Sequence, residues 1–238
     1  MLGGMYRQTV WDRLATVWSG SEHVLELNCG TGVDAVWLAG RGHRVHATDV
    51  SPAMLDRTRA AVQASGAEQR VTTELVDLTE LDRLAAPTPP FDAILSNFGG
   101  LNCVLDLGSV LQSMAALLPV GGRAVVGIMG PVVPWEWAWF LAHGQPRRAV
   151  RRLRRNPQWQ GRPLRYPSVG ALRRAAGPAL RLERVDALGA LLPPPYAEDW
   201  AQRHRTTVAR LARWERNWAT NPVLVRSADH YLAQLRRV

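Results

Sequence analysis

Two rhythms of apolar positions alternate through the first 130 residues. "HVLELN" (23–28) reads as a strand, and "DAVWLAGRG" (34–42) as a helix that its glycines stop. "HRVHATD" (43–49) is a second strand. The helix "SPAMLDRTRAAVQASG" (51–66) follows it, with a serine cap and proline at its first position. "RVTTELVD" (70–77) is a third strand, and "FDAILSNF" (91–98), set off by the loop "APTPP", a fourth. "VLQSMAALLPVGG" (110–122) is a helix ending in glycines, and "RAVVGIM" (123–129) a fifth strand. Strands and helices alternating at this spacing predict right-handed crossovers and a doubly wound parallel sheet covered on both faces.

The second half changes character. Residues 131–156 predict two short helices separated by Gly144 and Pro146, and "RLERVDALGA" (181–190) a sixth strand stopped by "LLPPPY". One long helix is expected over 197–219. "DHYLAQLRRV" (229–238) fits either a last strand or a short helix. Without repeats or a low-complexity linker, the expectation is one domain with insertions.

Composition removes alternatives. A chain of 238 residues with 47% hydrophobic and 21% charged residues has ordinary globular make-up. No apolar run reaches the ~18 residues of a membrane span, and the start lacks a signal-peptide pattern, so a soluble, cytoplasmic protein is expected. The two cysteines, Cys29 and Cys103, have no partner at metal-ligand spacing and read as reduced thiols, so no metal site is expected. All 29 basic residues are arginine. That excludes a P-loop lysine and lysine Schiff-base chemistry. The net charge of +9 invites an acidic partner. No RNA-binding signature accompanies the run "RRAVRRLRRN", which argues against nucleic acid and leaves a solvated or carboxylate-pairing face, or an acidic small molecule.

The glycine turn after the first strand carries the chemistry. Gly30-Thr31-Gly32-Val33-Asp34-Ala35 formally matches the dinucleotide pattern GxGxxA, with Asp49 placed to bind ribose. Its phase is poor, because Asn28 and Glu26 stand where an alternating apolar strand should run. Read two residues earlier, as Glu26-x-Asn28-x-Gly30-x-Gly32, the turn resembles motif I of the class I S-adenosylmethionine-dependent methyltransferases, with Asn28 in place of a family glycine. Asparagine tolerates the left-handed backbone such a turn uses.

This resemblance extends from residue 24 to about 130. It implies a seven-stranded, mostly parallel Rossmann-like sheet whose seventh strand is antiparallel. It also implies S-adenosyl-L-methionine as donor and S-adenosyl-L-homocysteine as product. Asp49 resembles the acid on the ribose hydroxyls, Val50 and Met54 the adenine-packing positions, and Asp77 with Leu78 the adenine-amino acceptor and its neighbour. "FDAILSNFGGLN" resembles motif IV, with Asn97 and Phe98 beside the transferable methyl. The expected organisation is an N-terminal lid helix (1–23), a cofactor-binding core (24–130), and an α-helical cap from insertions at 131–166 and 189–228. Tyr6 and Arg7 are candidates on the lid for the cofactor carboxylate; Cys29 completes the cofactor set.

Ligands of such sheets bind beyond the carboxyl ends of the strands. Residues 97–102, 131–143, 193–200 and 229–231 are therefore expected to converge there. Asn102, Trp135, Trp139, Tyr166, Tyr196 and His230 are the candidate acceptor contacts. Trp135 and Trp139, at i and i+4, form either an aromatic wall or the packed face of a cap helix. His230, oriented by Asp229, is the first candidate base, followed by His143, then Tyr196 and Glu136. The expected activity is methyl transfer to O, N or C of a small molecule, acidic or aromatic. An RNA methyltransferase using the arginine-rich face 147–174 and a non-catalytic cofactor-binding partner protein are the alternatives, with an NAD oxidoreductase more distant.

Overall fold

The computed structural model describes every residue except Ser21, residues 85–90, Arg155, Asn156 and Gln160. The expected loop at 86–90 and the end of the arginine run therefore lie outside the described residues. Seven strands form one sheet: β1 (His23–Leu27), β2 (Arg44–Asp49), β3 (Val71–Leu75), β4 (Ala93–Ser96), β5 (Arg123–Met129), β6 (Leu180–Leu188) and β7 (His230–Arg237). Their order is β3-β2-β1-β4-β5-β7-β6. The pairings among β1 to β5 are parallel, and β7 runs antiparallel to both neighbours, with Met129 opposite His230. The ambiguous last segment is thus a strand, and the doubly wound class is the one observed.

Each central strand sends alternate side chains to opposite layers. Leu25, Leu27, Ile94, Val126 and Ile128 join one core with α4 (Leu107–Ala116). Val24, Ala93, Leu95 and Val125 join the other, against α1 (Leu2–Val17), α2 (Val33–Gly40) and α3 (Pro52–Ser65). Each fully buried Leu or Val adds roughly 1.5–3 kcal/mol; the polar exceptions in β1, β4 and β5 are His23, Glu26, Ser96 and Arg123. The N-terminal helix is held by a stripe of Leu2, Tyr6, Val10 and Leu14, all buried, at the i, i+4 spacing of one helical face.

Further helices are α5 (Pro134–Ala142), α6 (Pro146–Ala149), α7 (Val169–Ala176), whose Leu172 and Ala176 join the core beside α4, α8 (Glu198–Arg203), α9 (Arg205–Asn217) and α10 (Pro222–Arg226). The long helix expected over 197–219 is two helices. His204 breaks it with φ −120° and ψ 38°, its ring stacked on Trp200 at 4.5 Å and its Nδ1 on the Trp200 carbonyl. Among the described residues no helix is long and apolar enough to cross a membrane.

Candidate functional site

The switch in strand order between β1 and β4 opens a cleft of about 780 Å³ at the carboxyl ends of β1, β4 and β5. Its first wall is the turn after β1. Asn28, Gly30 and Gly32 all have positive φ, at 51°, 58° and 75°. At Gly32 a Cβ would stand 2.8 Å from Thr58 Cγ2, so only glycine lets α3 approach. Thr58 then donates to the Gly30 carbonyl at 2.9 Å. Asp49 closes the turn, one oxygen accepting from Gly30 N and the other from Ser51 N, both at 2.9 Å. Each oxygen keeps a further lone pair for a ligand.

Asn28 ties β1 to β4. It accepts from Ser96 Oγ at 2.6 Å and donates to the Asn97 carbonyl at 2.8 Å. Its amide fills the space that a Cβ at Gly100 would occupy. The departure from the family glycine is therefore matched by a glycine 72 positions later. Gly100→Ala is expected to lose about 1–3 kcal/mol through overpacking. Asn28→Gly in the same chain should restore most of it. Equal losses in both backgrounds, measured by urea unfolding, would remove this coupling.

Glu26 sits beneath the turn, 2% exposed, and lines the cleft. Its Oε2 is buried without a hydrogen-bond partner. Burial, then the Asp34 and Asp49 charges, push its carboxyl well above the usual range, against the lowering effect of Arg7. An unpartnered buried oxygen is costly, and it suits a ligand that brings a cation or donor.

Asp34, in the first turn of α2, joins three elements. It accepts from Arg7 at 2.6 Å and Trp11 at 2.8 Å on α1, and from Asn97 Nδ2 at 2.9 Å. The N-terminal helix is thereby fastened to the cleft, and Arg7 lies 4.8 Å over the Phe98 ring. Phe98 has φ 50°, with its amide held by Asn97 Oδ1 at 2.9 Å.

The far wall comes from the cap. Glu136, 1% exposed, accepts from Arg151 Nε at 2.6 Å and Arg152 Nε at 3.0 Å. Arg152 is itself buried and donates to the carbonyls of Gly130 and Asp229, both at 3.0 Å, and to the Asp229 carboxylate. Burial acts to raise the Asp229 carboxyl, but His230 and Arg152 outweigh it and hold it near about 2. An ionised Asp229 can only accept, so the His230 nitrogen 3.2 Å away, Nδ1, donates to it. His230 meets Phe98 edge-on at 5.9 Å. On the other side Arg152 lies 5.2 Å over the Tyr166 ring.

The candidates distribute unevenly. Glu26, Asn28, Cys29, Gly30, Met54, Asn97, Phe98, Arg7 and Tyr166 line the cleft. Asp49 and Gly32 shape its turn, and His230 stands behind Phe98. Val50, Asp77 and Leu78 do not line it; Asp77 caps its own 3-10 turn by accepting from Thr79 N and Oγ1. Tyr6 is corrected from a cofactor contact to a core residue. It is 2% exposed, its hydroxyl reaches the Pro193 carbonyl, and it packs where only Gly189 leaves room.

Asn102, expected on the acceptor, is fully buried. It bonds Met129 N, Met129 O and Arg165 O, a backbone clip for the end of β5. The aromatic wall is also corrected. Trp135 donates to the Leu191 carbonyl at 2.9 Å and packs on Trp200, while Trp139 stacks on His143 at 4.4 Å and meets Tyr196 at 6.0 Å. Trp135, Trp139, His143 and Tyr196 thus hold the cap together outside the cleft. Asp34 and Arg152 were not expected; an acid opening a helix and one arginine in a basic run look ordinary until their distant partners are known.

Comparison with known proteins agrees with this architecture. The family model described as Methyltransferase domain matches residues 24–122. A demethylmenaquinone methyltransferase of Mycolicibacterium gilvum is 38% identical over 108 residues, 45% of this chain and 42% of that protein. The tRNA 5-carboxymethoxyuridine methyltransferase of Escherichia coli is 33% identical over 124 residues, 50% of this chain and 46% of that one. The chain thus spans less than half the length of these curated relatives. The crystal structure of an S-adenosylmethionine dependent methyltransferase from Mesorhizobium loti superposes with a TM-score of 0.60 at 20% identity, covering 95% of this chain and 97% of that one. Residues 24–122 match the methyltransferase domain model, and the chain carries the Rossmann-like fold of the Mesorhizobium loti S-adenosylmethionine dependent methyltransferase.

Proposed function

We propose that the protein transfers a methyl group from S-adenosyl-L-methionine to a small-molecule acceptor, releasing S-adenosyl-L-homocysteine. The observation that carries this reading is the unpartnered Glu26 carboxylate oxygen buried against the cleft of a methyltransferase domain. Glu26 is assigned to the donor's ammonium, Asp49 to its ribose, and Asn28, Cys29, Gly30, Met54, Asn97 and Phe98 to its flanks. Asp77, Leu78 and Val50 belong to this assignment only if the adenine end reaches beyond β2 and β3.

Bound S-adenosylmethionine supplies a methyl already activated by its sulfonium. The chain's own task is then mainly to position and to exclude water. Asn97 is fixed by Asp34, and its carbonyl by Asn28, so the carboxyl end of β4 is rigid. Where the acceptor must lose a proton, His230 Nε2 is the base, with Asp229 holding the opposite nitrogen. His230→Ala should lower methyl transfer at saturating donor by roughly 10²–10⁴-fold while donor binding stays intact. Unchanged turnover would remove His230 from the mechanism.

A second reading, an RNA acceptor, draws on the likeness to the tRNA enzyme. The arginine run gives it little support, because Arg151 and Arg152 are spent on Glu136 and Asp229. The test is incubation with methyl-labelled donor and source-cell extract, then counting label by fraction. Label in small molecules, lost with Asp49→Ala, is the expected result. Label in RNA with steep salt dependence would favour the second reading, and no label would favour a non-catalytic binder.

A further inference from the structure

Charge is distributed unequally along the cleft. Both carboxylates that line it, Glu26 and Asp34, lie at the end formed by β1 and α2, and Asp34 is matched by Arg7. The opposite end is lined by Arg151, Arg154, Gln158, Leu164 and Tyr166. No carboxylate among the described residues lines that end. Behind this wall two buried acids, Glu136 and Asp229, face two arginines, Arg151 and Arg152. Those four charges cancel. Arg154 pairs with no carboxylate among the described residues, so of the described arginines lining the cleft it is the one whose positive charge is left uncompensated.

A cationic amine entering there would meet an unpaired guanidinium and no counter-ion. An anion would meet a charge-assisted donor, with the Tyr166 ring and Leu164 available to an attached carbon frame. We propose that the acceptor carries an anionic group, a carboxylate or a phosphate, received by Arg154 at the end of the cleft away from Glu26. The inference rests on the donor reading above, since that reading assigns the Glu26 end to the cofactor. It replaces the tryptophan wall as the determinant of acceptor class: recognition is by the charge of Arg154, beside Leu164 and Tyr166. Arg152 serves it as a positioning residue. Its stack against Tyr166 and its bonds to Glu136 and Asp229 fix the segment on which Arg154 stands.

The probes are benzoate, phenyl phosphate and benzylamine, one frame with three charges, titrated calorimetrically into the full chain. S-adenosylhomocysteine is titrated first. With that nucleotide bound, at least one anion should bind saturably, the stronger of the two identifying carboxylate or phosphate, and benzylamine should not. Arg154→Gln should weaken the anion by roughly tenfold or more and leave nucleotide binding unchanged. Saturable benzylamine binding, absence of binding by both anions, or anion affinity indifferent to Arg154→Gln would each overturn the proposal. Failure of S-adenosylhomocysteine to bind, with benzoate or phenyl phosphate still bound through Arg154, would instead overturn the donor reading and leave the anion site standing.

Discussion

Replacing Arg152 with methionine is expected to lower the unfolding free energy by roughly 3–5 kcal/mol, the range for breaking a buried pair by removing one partner. Arg152 is 8% exposed, and its partners Glu136 and Asp229 are 1% and 5% exposed. Both would lose a buried counter-charge, and two backbone carbonyls, of Gly130 and Asp229, would lose a donor. Glu136 keeps Arg151 as a partner, which limits the loss on that side. The pH signature is specific. Asp229 is held near about 2, below its ordinary value, so its contribution is complete above the usual aspartate range and disappears as pH falls toward about 2. Arg152→Met should shallow that part of the acid-unfolding curve without abolishing it, because His230 also holds the Asp229 carboxyl down. A variant as stable as wild type, with the same acid limb, would mean that the network is solvated and does not fix the cap.

Glu26→Gln carries the second large effect, and it has opposite signs for stability and for binding. The folded-state pKa of Glu26 is raised, chiefly by burial. Between the ordinary glutamate value and that raised value, the folded chain holds a proton that the unfolded chain has released. Stability therefore falls as pH rises through that window, and glutamine removes the fall. Without ligand the variant should melt higher than wild type above neutral pH. With S-adenosylmethionine it should bind roughly 10–100-fold more weakly, since a hydrogen bond to a charged group contributes about 1.5–3 kcal/mol. A lower melting temperature together with unchanged donor affinity would make Glu26 structural. The same substitution thus separates a residue kept for binding from one kept for packing.

Much of this was legible in the chain. The apolar runs place β1 to β5 within a few residues, because strands buried on both faces must be nearly continuous in apolar residues. The turn was legible too, since Gly30, Gly32 and an asparagine are residues that accept positive φ. The acceptor side was not. Trp135 and Trp139 share a helical face at i, i+4, but spacing cannot tell whether that face meets a cavity or a neighbouring helix, and here it meets Trp200, His143 and Tyr196. Arg152 is indistinguishable from the other arginines of its run until Asp229, 77 residues away, is brought beside it. Asn28 looked like a weakened motif; Gly100, which makes room for it, becomes its counterpart only across the β1–β4 junction.

The central claim, that the Glu26 cleft holds S-adenosylmethionine, is tested most directly by calorimetric titration of that nucleotide into the full chain, with NAD as competitor. One-to-one binding that is undiminished by NAD and weakened by Glu26→Gln is the predicted result. No binding, or binding displaced by NAD and indifferent to Glu26→Gln, would contradict it.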